Sequence, residues 1–395
     1  MSTIRIGVGE RRARLAVRHH LAPAARAGDA VTVARDLVAL HATDPSTVYL
    51  AARARLRSPA VADVSRALYD ERTLVRILGM RRTMFVVPVE LMPVVLAACT
   101  RAVAVVERRR TEQFLALAGI GADTAAGWLA DVEDATVAAL ARRGEALSTE
   151  LSADEPRLAL QLRFGEGKSY AGSQSVASRV LPLLAADGRV VRGRPRGSWT
   201  SSQYRWSTVE AWLPGGVPEL KAEEARVELA RAWLRAFGPA PVSDLKWWSG
   251  WTLGHTRAAL AELGPVEVDL DGEPGVALAD DLEPTPTPEP FAALLPGLDP
   301  TVMGWQARDW FLGDHKEALF DTNGNAGPTV WWDGRIVGGW AQRKDGGIVV
   351  RLLEDVGADA TAAIDAEAAR LQEWMGPVRV TPRFRTPLER ALTAP

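Results

Sequence analysis

The stretch from residue 29 to residue 88 constrains the fold most strongly, because it places three short helices before one β-hairpin. Asp29 can cap the first helix, over residues 29–40, in which apolar residues recur every three or four positions. The second helix is predicted from Pro45 to Leu56, and the third lies in VADVSRALYD. RTLVRILGMRRTMFVVP then alternates like two strands that meet at Gly79–Arg82. This order of elements predicts a winged helix, a variant of the helix-turn-helix.

The same order of elements recurs twice more, although the sequences of the three copies have little in common. Residues 123–143 and SVASRVLPLLAADG read as helices, and RVVRGRPRGSWTSSQYRWSTVEAWL follows them as a hairpin. The third copy starts at EEARVELARAWLRAFG and ends in PVEVDLDGEPGVALA, with Asp271 and Gly272 at its turn. We therefore predict an α+β protein with three tandem winged-helix units, over residues 1–110, 111–220 and 221–284.

A small β-rich domain is predicted over residues 285–395, after the proline-rich linker DDLEPTPTPEP. PTVWWDGRIVGGWAQRKDGGIVVRLLE contains three short strands separated by Asp-Gly turns. A helix in ATAAIDAEAARLQEWMG and a last strand in VRVTPRF complete this domain.

The charges of the chain are unevenly distributed, although the formal net charge is only −2. The hairpins at 72–82 and 189–206 carry arginines and no acid, whereas residues 266–289 hold eight acids and no base. Basic hairpins are what winged helices use to hold phosphates, so double-stranded DNA is the expected partner, and the acidic hairpin is expected to face away from it. The candidate DNA-binding residues are Arg76, Arg81, Arg82, Arg189, Arg192, Arg194, Arg196 and Arg205.

Two alternatives remain for these hairpins. They could be solvated surface without a ligand, or the units could bind other proteins. The second alternative is favoured if Arg76, Arg81, Arg192 and Arg194 pair with acids of the same chain.

Several classes of site are not expected from the sequence. Cys99 is the single cysteine, and the five histidines lack metal-ligand spacing, so we expect no disulfide framework, no metal and no cofactor. No uncharged apolar run reaches about 18 residues, so no membrane span is expected. The first residues lack the apolar core of a signal peptide. We expect a cytoplasmic, nucleoid-associated monomer, since three linked units can enclose DNA without a second copy.

The segment His41-Ala-Thr-Asp44 has two interpretations. Asp44 followed by Pro45 is a common helix start, with a cap residue and then proline at the first helical position. His41 would then lie at the end of the preceding helix, where a cation is favoured. Alternatively, the histidine, threonine and aspartate form a chemical site.

Four segments together resemble the winged helix DNA-binding domain-containing family that includes the AlkZ-like DNA glycosylases. They are LVALHATDPSTVYLAARARL, RTLVRILGMRRTMFVVP, LLPGLDPTVMGW and DGRIVGGW. The resemblance spans nearly the whole chain. It implies hydrolysis of the N-glycosidic bond of bulky N7-alkylated purines, as in alkylation or crosslink repair and genotoxin self-resistance.

The resemblance also implies a position for the catalytic residues. The family's motif, Gln-apolar-Gln or Gln-apolar-Asp, matches His41-Ala42-Thr43, with Asp44 one residue further. The candidate catalytic residues are therefore His41, Thr43 and Asp44, although the histidine and threonine replace the family's residues. A histidine can orient or deprotonate water, and a carboxylate can face the charge that develops on the sugar.

The resulting hypothesis is a monofunctional, metal-free DNA glycosylase. The alternative is a winged-helix DNA-binding protein without catalysis, such as a regulator.

Overall fold

The computed structural model describes residues 4–164, 167 and 171–394 of the chain. Its first part contains two N-terminal elements and a unit of helices and strands that ends at Pro88. The bounds are β1 (Ile4–Arg5), α1 (Val8–Arg18), α2 (Ala30–Asp36), β2 (Leu40–His41), α3 (Pro45–Arg53), α4 (Val61–Tyr69), β3 (Leu74–Leu78) and β4 (Met84–Pro88). The antiparallel sheet of this first unit has the order β2-β4-β3. The predicted helices and hairpin are therefore present in the predicted order.

Helix α2 is shorter than its sequence pattern predicts. Asp29 caps it, as predicted, by accepting a backbone hydrogen bond at 2.8 Å. The helix nevertheless ends at Asp36, because Val38 adopts a φ of 65°, which cannot continue a right-handed helix. Leu40 and His41 pair with β4 instead. The interpretation that placed His41 at a helix end is thus wrong, since His41 lies on a short strand.

A long helical stretch, Val89–Ile120, connects the first unit to the second. It includes α5 (Met92–Val95) and α6 (Arg101–Leu115), with π-helical turns between and after them. By length and composition alone the stretch could cross a membrane, which the sequence criterion did not predict. Half of its most apolar window is buried inside the protein, and Cys99 is one of the buried residues. Val105, Val106 and Leu117 of the same stretch are exposed.

The second unit repeats the sheet order of the first. Its elements are α7 (Ala125–Arg143), β5 (Glu145–Leu147), α8 (Ser148–Asp154), β6 (Gln161–Phe164), β7 (Gly172–Ser175), α9 (Ala177–Ala186), β8 (Val190–Pro195), β9 (Tyr204–Thr208) and α10 (Val209–Trp212). The order β5-β9-β8 corresponds to β2-β4-β3, and β6 and β7 form a separate hairpin. The helix before the main hairpin stops just before Gly188, whose φ of 73° suits a glycine.

The third unit has a reduced sheet that also includes the first residues of the chain. Its elements are α11 (Ala222–Phe237), α12 (Val242–Ser249), α13 (Leu253–Leu263), β10 (Val266–Leu270) and β11 (Glu273–Ala277). A single bridge between Ala240 and Val276 occupies the place of the missing strand. Asp271 and Gly272 form the predicted turn, with φ values of 56° and 99°. Strand β1 pairs in parallel with β10, so residues 4–5 extend the sheet of the third unit.

The C-terminal domain contains one four-stranded antiparallel sheet with the order β12-β13-β14-β15. The remaining elements are β12 (Ala292–Leu295), α14 (Pro300–Met303), α15 (Asp309–Leu312), α16 (Lys316–Leu319), β13 (Thr329–Trp332), β14 (Arg335–Gln342), β15 (Ile348–Leu352), α17 (Ala358–Met375) and α18 (Pro387–Leu392). The three strands and the helix predicted here are confirmed. Small sheets and helices alternate along the chain, so the protein is α+β, as predicted.

The last predicted strand, in VRVTPRF, is wrong. Residues 378–384 do not join the sheet as a strand. The Gln342 side chain instead donates to the Val378 carbonyl at 3.1 Å and accepts from the Val380 amide at 2.9 Å. One side-chain amide thus takes the place of a strand neighbour, and Pro382 lacks the amide that a strand ladder needs.

Candidate active site

The loop between β2 and α3, residues 42–44, lies between two cavities. The first, called here the His41 cavity, has a volume of about 570 Å³ and is lined by His41, Arg81, Trp247, Arg308 and Lys316, among others. The second, the Arg192 cavity, has a volume of about 550 Å³ and is lined by Ala42, Arg192, Arg196, Tyr204 and Arg383, among others. Thr43 and Met84 line both cavities. The loop is therefore accessible from two sides.

His41 is held in place by its strand and by an aromatic neighbour. Its backbone pairs with Phe85 of β4, and its ring packs edge-on against the Phe85 ring at 5.1 Å. The side chain is 3% exposed, and Nδ1 has no hydrogen-bond partner in the described part of the chain. Burial, and secondarily the charge of Arg81, lowers the pKa of His41 to about 3. The imidazole is therefore neutral at physiological pH and can accept a hydrogen bond.

Thr43 follows on a backbone that is fixed from both sides. The Ala42 amide donates to the Met84 carbonyl at 2.8 Å, and the Ala42 carbonyl accepts from Arg76 Nη1 at 2.8 Å. These two bonds set the direction of the next peptide. Thr43 is half-buried and lies where the two cavities meet, next to His41.

Asp44 has different surroundings. Its Oδ1 accepts from Ser46 N at 3.1 Å and from Ser46 Oγ at 2.7 Å, which makes it the cap of α3. Its Oδ2 accepts from the Arg383 amide at 3.2 Å. Asp44 lines a third, smaller cavity rather than either of the two described above. The structure thus brings His41 and Thr43 together and places the Asp44 carboxylate apart from them.

The eight candidate DNA-binding arginines divide into two groups. Four form ion pairs with carboxylates of the chain: Arg82 with Glu107, Arg189 with Asp134 at 2.7 Å, Arg194 with Asp70 at 2.7 Å, and Arg205 with Glu145 at 3.5 Å. The other four, Arg76, Arg81, Arg192 and Arg196, form no such pair within the described residues. A protein-binding role is favoured if Arg76, Arg81, Arg192 and Arg194 pair with acids of the chain. Among the described residues, only Arg194 has such a partner.

Three of the four unpaired arginines, Arg76, Arg81 and Arg192, stack on aromatic rings near the loop. The Arg76 guanidinium lies 4.8 Å from the centre of the Tyr204 ring, and Arg192 lies 5.1 Å from that of Trp206. Burial and the nearby charge of Arg76 lower the pKa of Arg192 to about 10, so it stays protonated at neutral pH. The second unit thus adds positive charge without an acid to one side of the Thr43 loop.

Sequence reasoning missed several residues of the site because they come from distant parts of the chain. Trp247 belongs to the third unit, and Arg308 and Arg383 belong to the C-terminal domain. Arg308 could have been found, because it follows the LLPGLDPTVMGW segment by three residues. Nothing in the local sequence marks Trp247, one of two adjacent tryptophans. Within residues 4–164, 167 and 171–394, no cluster of three potential metal ligands occurs.

Comparisons with known proteins agree with this architecture. A family model described as "DNA glycosylase AlkZ-like" matches residues 34–374. The solved structure of Streptomyces sahachiroi DNA glycosylase AlkZ superposes with a TM-score of 0.70 and 20% sequence identity, covering 94% of this chain and 98% of that one. At this identity the structural match shows a shared fold. Among curated protein sequences, none matches the chain significantly.

Proposed function

The chain belongs to the AlkZ-like DNA glycosylase family, and from this premise we propose that it hydrolyses the N-glycosidic bond of bulky N7-alkylated purines in duplex DNA. The observation that carries the proposal is the position of His41 and Thr43. A neutral imidazole and a hydroxyl meet at the boundary of two cavities that are lined by unpaired arginines. Arginines attract the DNA backbone, and the two uncharged groups can hold a water molecule.

The proposed chemistry needs little from the protein. An N7-alkylated guanine is already cationic, so its C1′–N9 bond breaks with the electron pair passing to the base, which leaves neutral. A water oxygen then bonds to C1′ and releases one proton. His41 and Thr43 orient this water, and Asp44 positions the loop by capping α3. The products are a free base and an abasic site.

The repeated sheet order supports the proposal of three tandem winged helices, with the boundaries predicted from sequence. Each unit presents a hairpin after two or more helices, which is the arrangement that binds DNA in this motif. We propose that Arg81, Arg192 and Arg196, which line the two cavities, attract the duplex. Buried Arg76, predicted to bind DNA, instead holds the Ala42 carbonyl. The carboxylate-paired Arg82, Arg189, Arg194 and Arg205 exchange their partners for phosphates. A cytoplasmic, nucleoid-associated monomer remains our proposal, because three linked units can enclose DNA without a second copy.

The second candidate is a DNA-binding protein without catalysis. The observation that favours it is the pKa of about 3 for His41, which makes the imidazole a weak base. In this case the same arginines would bind DNA and the alkylated base would stay attached.

Release of N7-alkylguanine from alkylated duplex DNA separates the two functions. We expect the wild-type protein to release the base and His41→Ala to release far less. His20→Ala is the matched control, because His20 pairs with Asp36 outside both cavities. Duplex binding without base release above the His41→Ala level would contradict the glycosylase proposal and support the non-catalytic one.

A further inference from the structure

The Trp247 ring contacts two guanidinium groups in the His41 cavity. The Arg81 guanidinium lies 3.8 Å from the centre of the Trp247 ring, and that of Arg308 lies 5.0 Å from it. Such contacts hold a guanidinium by its face and leave its N–H groups free at the edge. The three side chains come from the first unit, the third unit and the C-terminal domain.

Neither guanidinium has an acidic partner within the described residues. Arg308 is 8% exposed. It forms a 3.4 Å bond to the Gln306 carbonyl, approaches the Met303 sulfur at 3.9 Å, and lies 4.9 Å from the centre of the Phe320 ring. Arg81 Nε is buried without a hydrogen bond. Burial lowers the pKa of both groups to about 10, so both remain charged. The carboxylates of Asp244 and Asp309 act on Arg308 only from beyond ion-pair distance, and half-buried Arg81 adds a second positive charge. This excess of positive charge makes the cavity receptive to a negative ligand.

The geometry of this pair is fixed by the backbone. Arg81 has a φ of 50° in the turn between β3 and β4. Gly250, the left-handed cap residue of α12, packs against this turn so closely that an added Cβ would lie 3.3 Å from Arg81 N. The end of the helix that carries Trp247 therefore directly supports Arg81.

The charge of the lining decides what the cavity can hold. The lining contains four basic side chains and one carboxylate, that of Asp309; the basic residues are Arg81, Arg82, Arg308 and Lys316. A cationic N7-alkylated base would be repelled there, whereas a phosphodiester would be attracted and could accept paired N–H bonds from each arginine.

We propose that Arg81 and Arg308, stacked on Trp247, bind one phosphate of the DNA backbone beside His41. The inference rests on the proposed function only in taking duplex DNA as the ligand. It assigns the backbone, rather than the damaged base, to the His41 cavity.

The test is the salt dependence of binding to an undamaged duplex, measured by fluorescence anisotropy. Each phosphate contact contributes about one unit to the slope of log Kd against log salt concentration. We expect Arg81→Gln and Arg308→Gln each to lower this slope by about one unit. Arg66→Gln is the matched control, because this exposed arginine pairs with Asp63 and Glu71, and it should keep the wild-type slope. Near-ultraviolet circular dichroism checks that each variant is folded. If Arg308→Gln does not fold, the slope of Arg81→Gln alone tests the inference, because Arg81 is only half-buried.

Unchanged slopes in the folded variants would overturn the inference. A selective loss of affinity for alkylated duplex, with the slope intact, would also overturn it and assign the cavity to the base. Because undamaged DNA is used, the result does not depend on catalysis. Base release with unchanged slopes contradicts only this inference, and reduced slopes without base release contradict only the glycosylase proposal.

Discussion

At the residue scale, His41 and Asp44 have opposite surroundings although only two residues separate them. His41 is buried with an unpartnered Nδ1, whereas both oxygens of Asp44 accept hydrogen bonds from the backbone or from Ser46. One residue thus has unused hydrogen-bonding capacity, and the other uses its capacity to fix the loop. This difference leads to separate predictions.

We expect His41→Gln to change the pH dependence of stability. The pKa of His41 is about 3 in the folded protein and near its ordinary value of 6.5 in the unfolded chain. Between these values only the unfolded chain takes up the proton, so the free energy of unfolding falls as pH decreases, by about 1.4 kcal/mol per pH unit. Denaturant titrations between pH 6 and pH 4 should show a smaller fall for the variant. Buried His19 contributes equally to the pH dependence of both proteins, so it does not affect the difference between them. Parallel curves would show that His41 does not resist protonation.

We expect Asp44 to act through capping. Asp44→Ala should lower the free energy of unfolding by about 1 kcal/mol, whereas Asp44→Asn should largely retain the cap. Loss of a carboxylate that takes part in the chemistry would slow base release by about 100-fold or more. We expect Asp44→Asn to stay within about tenfold of wild type, below that range. A stable but inactive Asp44→Asn protein would place the carboxylate in the reaction.

The sequence allowed part of this site to be predicted. Asp44 as a cap follows from its position before Pro45, and the loop was found from its resemblance to a family motif. The pKa of His41 could not be predicted, because it depends on burial under Phe85 and on Arg81, 40 residues away in the chain. Long-range packing of this kind leaves no local pattern.

At the element scale, residues 378–384 connect the C-terminal domain to the site. Arg383 and Phe384 contribute to the cavities, yet their segment is held by the Gln342 side chain rather than by a strand ladder. The alternation of apolar and polar residues in VRVTPRF predicted a strand. Such alternation indicates that the two faces of a segment differ, but it does not identify the hydrogen-bond partner of the backbone. The helices and hairpins were predicted better, since caps and turn residues act locally.

Gln342→Ala should loosen this segment. Loss of its hydrogen bonds to Val378 and Val380, and of a longer one at 3.4 Å to the Gly346 carbonyl, is expected to lower the free energy of unfolding by about 1–2 kcal/mol. The Val380 amide, which donates to Gln342 Oε1, should exchange with solvent faster. Gln342→Glu keeps an acceptor for this amide and should give an intermediate result. Equal exchange rates in all three proteins would show that other contacts hold the segment.

At the scale of the whole molecule, two buried ion pairs join the first unit to the C-terminal domain: Arg53 with Glu367, and Arg55 with Asp299. Arg55 follows α3, and Asp299 caps α14; both side chains are fully buried and bonded at 2.6 and 2.9 Å. Arg55 also donates to Thr301 Oγ1 at 2.7 Å. The order of the units could be predicted from the sequence, but this contact across 244 residues could not.

Both cavities are lined by residues from several units. The Arg55–Asp299 ion pair should therefore affect the stability of the site as well as that of the fold. Asp299→Ala leaves the Arg55 guanidinium buried without its anion, which typically costs about 3–5 kcal/mol. Such a loss is a large part of the about 5–15 kcal/mol that stabilises a typical domain. Arg66→Gln breaks an exposed pair and should cost less than about 1 kcal/mol. Denaturant midpoints measure both variants. If Asp299→Ala behaved like Arg66→Gln, the two parts would be held together by apolar packing and by the Arg53–Glu367 pair, and the Arg55–Asp299 pair would only orient them.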